Sequence, residues 1–276
     1  RPVRQPPVPL STSSCYPSST ESAFADAARL GYDGLELMVW RWPETRDART
    51  LLALSETYGV PVLSIHSPTL LLTQRVWGSD SWGKIDRSIE LAEAVGAEVV
   101  VIHPPFRWQK EYAAGFVEGI AERQRGTSVR VSVENMYPWR VGGRELPAYL
   151  PDHDPSDEDY EHITWDFSHA AVASADSVGI VGRLLRENRL RHLHLTDGSG
   201  SMKDEHLAPG RGVQPVAQTL NLMAAAGWTG DVVLEVSTRK FRTTTQRDAE
   251  LAYSLDFART HLGTSDRAST TTPGGT

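Results

Sequence analysis

The chain has 276 residues, 39% hydrophobic and 23% charged, enough to bury a sizeable core as one large α/β unit. Its formal charge of -7 and pI near 5.7 give no bulk electrostatic case for nucleic acid or an anionic membrane. One cysteine, Cys15, cannot form an internal disulfide, so a reducing, cytoplasmic compartment is the simplest expectation.

Residues 1–9, rich in proline, read as an N-terminal extension without the apolar run of a signal peptide. No stretch approaches the roughly 18 apolar residues of a spanning helix, so no membrane partner is expected. From Leu10 onward, short β-rich runs alternate with amphipathic helical stretches. The expected strands are 10–16, 34–39, 60–66, 98–103, 128–134, 163–166, 191–195 and 231–236, and the expected helices 20–30, 48–58, 81–95, 109–123, 170–187, 213–226 and 247–261. The proline-rich, acidic segment from Tyr137 to Asp159 reads as loop. Residues 264–276 have almost nothing to bury and are expected to be disordered. Eight strands joined by crossovers predict a single (β/α)8 TIM barrel over residues 10–263. An open doubly wound sheet would carry a glycine-rich phosphate loop after its first strand, where this chain has Ser13-Ser14-Cys15-Tyr16-Pro17.

The register of the polar residues points to chemistry. His66 closes Val62-Leu-Ser-Ile-His, His103 closes Val99-Val-Val-Ile-His, Glu134 closes Val131-Ser-Val-Glu, and Asp166 closes Ile163-Thr-Trp-Asp. His192 and His194 share one face of a strand, and Glu235 breaks the apolar run 232–236. Charged or imidazole groups at the last inward positions of barrel strands lie where this architecture builds its active sites. A lone strand-end histidine is more often a capped, hydrogen-bonded residue than a ligand. The repetition across strands, extended by His169 and by the loop pair Asp204 and His206, favours a shared divalent metal at the barrel mouth. Two glutamates facing each other would otherwise repel in a desolvated site, a cost a cation removes.

The remaining candidates carry less. Asp166 also suits a helix N-cap. His192 and Glu36 read as interior hydrogen-bonding residues or as partners behind a ligand. Arg211, between two glycines, suits a substrate oxygen or phosphate as well as an ordinary loop position. Trp40, Trp42, Trp77 and Trp108 could wall a pocket, Glu111, Glu118 and Glu122 form a solvated helix face, and Cys15 has no local basic partner to activate it.

Several motifs together resemble the xylose isomerase-like TIM-barrel superfamily: Ser64-Ile-His66-Ser-Pro, Val101-Ile-His103-Pro-Pro, Val133-Glu134-Asn135, Trp165-Asp166-Phe-Ser-His169, His192-Leu-His194-Leu-Thr-Asp197, Asp204-Glu-His206 with Pro209-Gly-Arg-Gly212, and Leu234-Glu235-Val. The superfamily includes sugar and sugar-phosphate isomerases and epimerases, inosose dehydratases and the endonuclease IV class of nucleases, and the likeness spans roughly residues 10 to 262.

In the isomerase and epimerase branch the resemblance implies one divalent ion (Mn²⁺, Mg²⁺, Co²⁺ or Zn²⁺) held by Glu134, Asp166, His194 and Glu235. The two glutamates double as the acid-base pair, and His66, His103, His169 and Arg211 contact a small carbohydrate substrate. In the endonuclease IV branch the same positions serve three zinc ions, with ligands falling on His66, His103, Glu134, Asp166, His169, His194, Asp204, His206 and Glu235. The acidic charge, the Gly31-Tyr-Asp-Gly-Leu-Glu36-Leu segment and the lack of basic, base-wedging loops after the early strands favour the isomerase or epimerase. A zinc phosphodiesterase acting on abasic DNA and an inosose-dehydratase-like lyase are the alternatives. Barrels of this type often pair as homo-oligomers, and no segment identifies an interface.

Overall fold

Eight parallel strands close into a cylinder in a computed structural model that describes residues 5–142 and 144–263. The tail expected to be disordered, 264–276, lies outside the described residues. In chain order the barrel strands are β1 (Leu10–Ser11), β2 (Leu35–Met38), β3 (Val62–His66), β4 (Val99–Ile102) and β5 (Arg130–Glu134). A two-stranded antiparallel hairpin, β6 (Trp139–Val141) with β7 (Arg144–Leu146), is followed by the barrel strands β8 (His162–Asp166), β9 (Leu190–Leu195) and β10 (Asp231–Leu234). The ring is closed by Leu10 pairing with Leu35 on one side and Leu234 on the other. Of the residues read as an extension, Pro7 and Pro9 already accept hydrogen bonds from Val232 and Leu234, and Val8 is buried.

The helices are α1 (Thr20–Leu30), α2 (Ala48–Tyr58), α3 (Ser81–Val95), α4 (Lys110–Ala114), α5 (Phe116–Arg125), α6 (Phe167–Ala173), α7 (Ser177–Arg186), α8 (Val216–Ala225) and α9 (Thr244–His261). Local chemistry sets many of their ends. Ser19 and Asp47 cap α1 and α2 by accepting from Ser22 N and Thr50 N, and Gly31 and Gly59 end those helices at φ +81° and +66°.

The structure shifts several element ends by two or three residues and corrects three elements outright. The expected first strand, 10–16, stops at Ser11, whose hydroxyl accepts from Ser13 N and turns the chain into a 3-10 turn over Thr12–Cys15. The helix expected over 109–123 breaks at Gly115, and the one over 170–187 breaks at Ser174, which sits at φ 56° before Asp176 caps α7. The segment read as loop after Tyr137 holds the β6–β7 hairpin.

Period-two alternation sorts the strand side chains into two environments. Leu35, Leu37, Ile65, Val100, Ile102, Val133, Ile163, Trp165, Leu193, Leu195 and Leu234 join the hydrophobic core shared with the helices. The opposite set fills the barrel interior and is mostly polar, with Glu36, Ser64, Ser132, Thr164 and His192 all fully buried. These groups satisfy one another: Thr164 Oγ1 donates to Ser132 Oγ at 2.7 Å and Ser64 Oγ to Glu36 at 2.8 Å. Above this polar floor lie the charged strand ends. No helix among the described residues is long and apolar enough to cross a membrane.

Candidate metal centre

The strand ends bring Glu134 of β5, Asp166 of β8, His194 of β9 and Glu235 just past β10 together, each offering a ligand atom within 4.8 Å of the others. Three further groups adjoin it: Glu36, His192 and His194; His66, His103 and Glu134; and Asp166, His169 and His206. Asp204 joins the last, with its Oδ2 at 2.9 Å from His206 Nε2 and 3.3 Å from His169 Nε2. All nine sequence-predicted metal candidates therefore meet in one site.

Hydrogen bonds fix which nitrogen of three of the rings can act as a ligand. A backbone carbonyl only accepts, so the ring nitrogen facing it carries the proton. His66 Nδ1 faces Ser67 O at 3.1 Å, His169 Nδ1 faces Asn135 O at 2.8 Å and His206 Nδ1 faces Glu235 O at 2.9 Å. The Nε2 lone pairs of the neutral rings are thereby aimed at carboxylate oxygens, an arrangement that only a proton or a cation relieves. His194 is turned the other way. Its Nδ1 lies 2.8 Å from Glu134 and 3.1 Å from Glu235.

Two buried carboxylate oxygens test the fit of a metal. Glu134 Oε2 lies 2.9 Å from His103 Nε2 and 3.3 Å from His66 Nε2 without a hydrogen bond to either. Asp166 Oδ2 is likewise unbonded at 3.6 Å from His194 Nδ1. Asp166 Oδ1 meanwhile accepts from His169 N at 2.7 Å, so the residue caps α6 with one oxygen and keeps the other for the site. Orphaned anionic oxygens beside fixed imidazole lone pairs are what a divalent ion with oxygen and nitrogen ligands requires.

The same carboxylates set the protonation of the imidazoles. Burial pushes the His169 imidazole down, but the carboxylates of Asp166 and Asp204 outweigh it and raise its pKa from 6.5 to about 10. His194 and His206 are driven well above their usual range against the same burial cost, chiefly by Glu36 and Glu134 and by Asp204 respectively. Burial would raise Glu134, yet His194 and His103 hold it well below the usual carboxylate range. His103 is the exception, lowered by burial to about 4, so its ring is neutral at pH 7. In chelator-treated protein the His169 contribution to stability is fully present below pH 6.5 and is lost as pH rises through about 10. The urea midpoint should therefore fall between pH 7 and 10, and His169→Gln should flatten that fall; an equally steep fall in the variant would show that His169 is not its source.

One buried carboxylate organises the loop that delivers Asp204 and His206. Asp197, fully buried, accepts from the backbone N–H groups of Gly198, Gly210, Gly212 and Gln214 at 2.8–3.1 Å. A Cβ on Gly212 would lie 2.3 Å from Asp197 Oδ1 and Gly198 O, so the glycine is required by close approach. Asp197→Ala strands four amides, and we expect it to cost about 3 kcal/mol or more in denaturant unfolding, with Asp204 and His206 dislodged from the site. An unchanged midpoint would remove Asp197 from this role. The dense glycine spacing after Thr196 was the available sequence signal for this anchor.

The structure does not bring Arg211 to the site. Its guanidinium lies 2.7 Å from the buried carboxylate of Glu250 and 4.6 Å above the Tyr253 ring, both on α9, because Glu250 needs a charged partner at that depth. Arg239, not singled out in the sequence, lines the cavity instead and stacks on Tyr16 at 4.6 Å. That cavity, of about 310 Å³, opens onto His66, His103, Glu134, His169, His206 and Glu235. Trp40 and Trp42 wall it, whereas Trp77 packs against the core and Trp108 stacks on Phe106. Ser13, also missed, donates to Glu235 Oε1 at 3.0 Å. The Cys15 thiol is buried and pushed up to about 12 by that burial, which suits packing rather than attack.

Fold and site together define a (β/α)8 barrel with imidazole and carboxylate groups gathered at the carboxyl ends of its strands. The chain belongs to the xylose isomerase-like TIM-barrel family, which matches residues 24–261. An uncharacterized protein of Mycobacterium tuberculosis is 47% identical over 274 residues, covering 92% of this chain and 97% of its own. Fructoselysine 3-epimerase of Shigella flexneri is 23% identical over 242 residues, covering 79% and 85%. Among solved structures, D-allulose 3-epimerase from Methylomonas sp., in complex with D-allulose, superimposes with a TM-score of 0.64 at 14% identity, covering 94% of this chain and 98% of the other.

Proposed function

We propose that the protein is a divalent-metal-dependent isomerase or epimerase of a small sugar, sugar phosphate or related polyhydroxylated carbonyl compound. The observation that carries this reading is the convergence of two glutamates from separate strands, Glu134 and Glu235, on one point beside Asp166 and His194. The epimerase relatives supply the substrate class. A cation held by these four residues would polarise the substrate carbonyl, making the neighbouring C–H acidic. One glutamate takes that proton, and the other returns a proton to the opposite face. Ser13 steadies Glu235 for this, the Asn135 carbonyl fixes the ring of His169 at the cavity wall for a substrate oxygen, and Trp40 and Trp42 wall the cavity against water.

A second reading is favoured by a separate observation. His66 and His103 on one side, and His169, Asp204 and His206 on the other, form groups that would suit two more ions, as in a three-zinc phosphodiesterase acting on abasic DNA. Metal content per chain, measured alongside product analysis, separates the readings. One ion with solvent deuterium entering a ketose supports the epimerase or isomerase, and loss of water from the sugar points to a lyase. Three zinc ions with cleavage of an abasic duplex overturn the proposal.

A further inference from the structure

Resting on the metal-dependent reading above, we propose that Glu36 is the positioning residue of the metal centre: by accepting the Nε2–H of His194 from behind, it commits the Nδ1 lone pair of that ring to the cation.

The argument starts from the two ends of one imidazole. His194 Nε2 lies 2.9 Å from Glu36 Oε1, and Nδ1 faces Glu134 at 2.8 Å, Glu235 at 3.1 Å and Asp166 at 3.6 Å. A neutral imidazole has one N–H, and a carboxylate can only accept it. With a cation among Glu134, Asp166 and Glu235, the proton must sit on Nε2, bonded to Glu36. That is the carboxylate–histidine–metal arrangement, in which the rear carboxylate fixes the ring and raises its basicity.

Glu36 lies behind the site in a group with His192 and His194 whose possible ligand atoms are within 4.8 Å of one another. It is fully buried on β2 and lines no part of the cavity, so it does not reach substrate. Its second oxygen is tied down by Ser64 Oγ at 2.8 Å and His192 Nε2 at 3.0 Å, which stops the carboxylate from swinging forward to become a ligand. His192 Nε2 also lies 3.3 Å from Ser64 Oγ, and its Nδ1 is buried without a hydrogen-bond partner, so the polar contacts of this ring are all on the Glu36–Ser64 side. A buried carboxylate ringed by neutral donors is costly unless a positive charge lies near, and a cation on the far nitrogen of His194 provides it.

Two measurements test this. In ¹⁵N-labelled protein loaded with Mg²⁺, long-range ¹H–¹⁵N correlation should show the His194 proton on Nε2; a proton on Nδ1 overturns the proposal whether or not any variant folds. Glu36→Gln keeps an acceptor of the same shape and removes the charge, so Mn²⁺ binding followed by titration calorimetry should weaken about 10–100-fold. Unchanged Mn²⁺ affinity with a lower melting temperature would make Glu36 a merely structural residue and sink the idea. Failure of the unmodified protein to bind either ion would count against the metal-dependent reading instead, separately from Glu36.

Discussion

Glu235→Gln is expected to lower turnover by about 10²–10⁴-fold while leaving the barrel folded, the range associated with losing one group that moves a proton in the transition state. The substitution is nearly isosteric. Glutamine can still accept the hydrogen bond from Ser13 Oγ that now reaches Glu235 Oε1 at 3.0 Å, so the side chain should stay in place. It cannot take a proton, and it no longer offers an anionic oxygen 3.1 Å from His194 Nδ1. Measuring Mn²⁺ occupancy beside kcat separates the two losses. Retained occupancy with lost turnover assigns Glu235 to proton transfer, and loss of both assigns it chiefly to holding the ion. Activity that survives with a lowered melting temperature would show a structural residue and would remove the proposed proton pair.

Removing the proposed cation should have an effect of similar size on activity and a visible one on stability. An ion present at 100 times its dissociation constant stabilises the folded chain by about 2.7 kcal/mol. For a chain of this size the melting temperature should then fall by about 5–10 °C on chelation. Glu134→Ala should go further, because this one carboxylate serves both the His66–His103 group and the Asp166–His194–Glu235 group. Its loss leaves buried imidazoles without a counter-charge, and we expect about 3–5 kcal/mol of destabilisation together with loss of metal binding. A melting curve indifferent to chelator, with Glu134→Ala as stable as the parent, would contradict a cation site centred on this residue.

Seven of the nine ligand candidates stood out because each closes a strand or opens its loop, and an inward strand end is a position that backbone periodicity alone identifies; Asp204 and His206 stood out only as an Asp-x-His pair within a long loop. The barrel followed from the alternation of eight β-rich runs with helical ones. Arg211 misled because a cation flanked by two glycines can point either way; what turns it outward is Glu250, 39 residues further on and buried on α9. Arg239, Ser13 and Asp197 were missed for a related reason. Arg239 and Ser13 act through partners distant in the sequence, Tyr16 and Glu235, and Asp197 acts through backbone amides, of which only the glycine spacing after Thr196 gave a sign.

The sequence by itself determined the class of barrel and the chemistry gathered at its rim, since strand periodicity and residue type are local properties. Only the tertiary structure decided which nitrogen of His66, His169, His194 and His206 faces the site, which carboxylate oxygens are left without a partner, and that Glu36 stands behind His194 while Arg211 stands aside. Those choices depend on hydrogen bonds closed across the barrel, between residues such as Glu36 and His194 that are 158 positions apart. No periodicity along a single strand encodes a contact made across the cylinder.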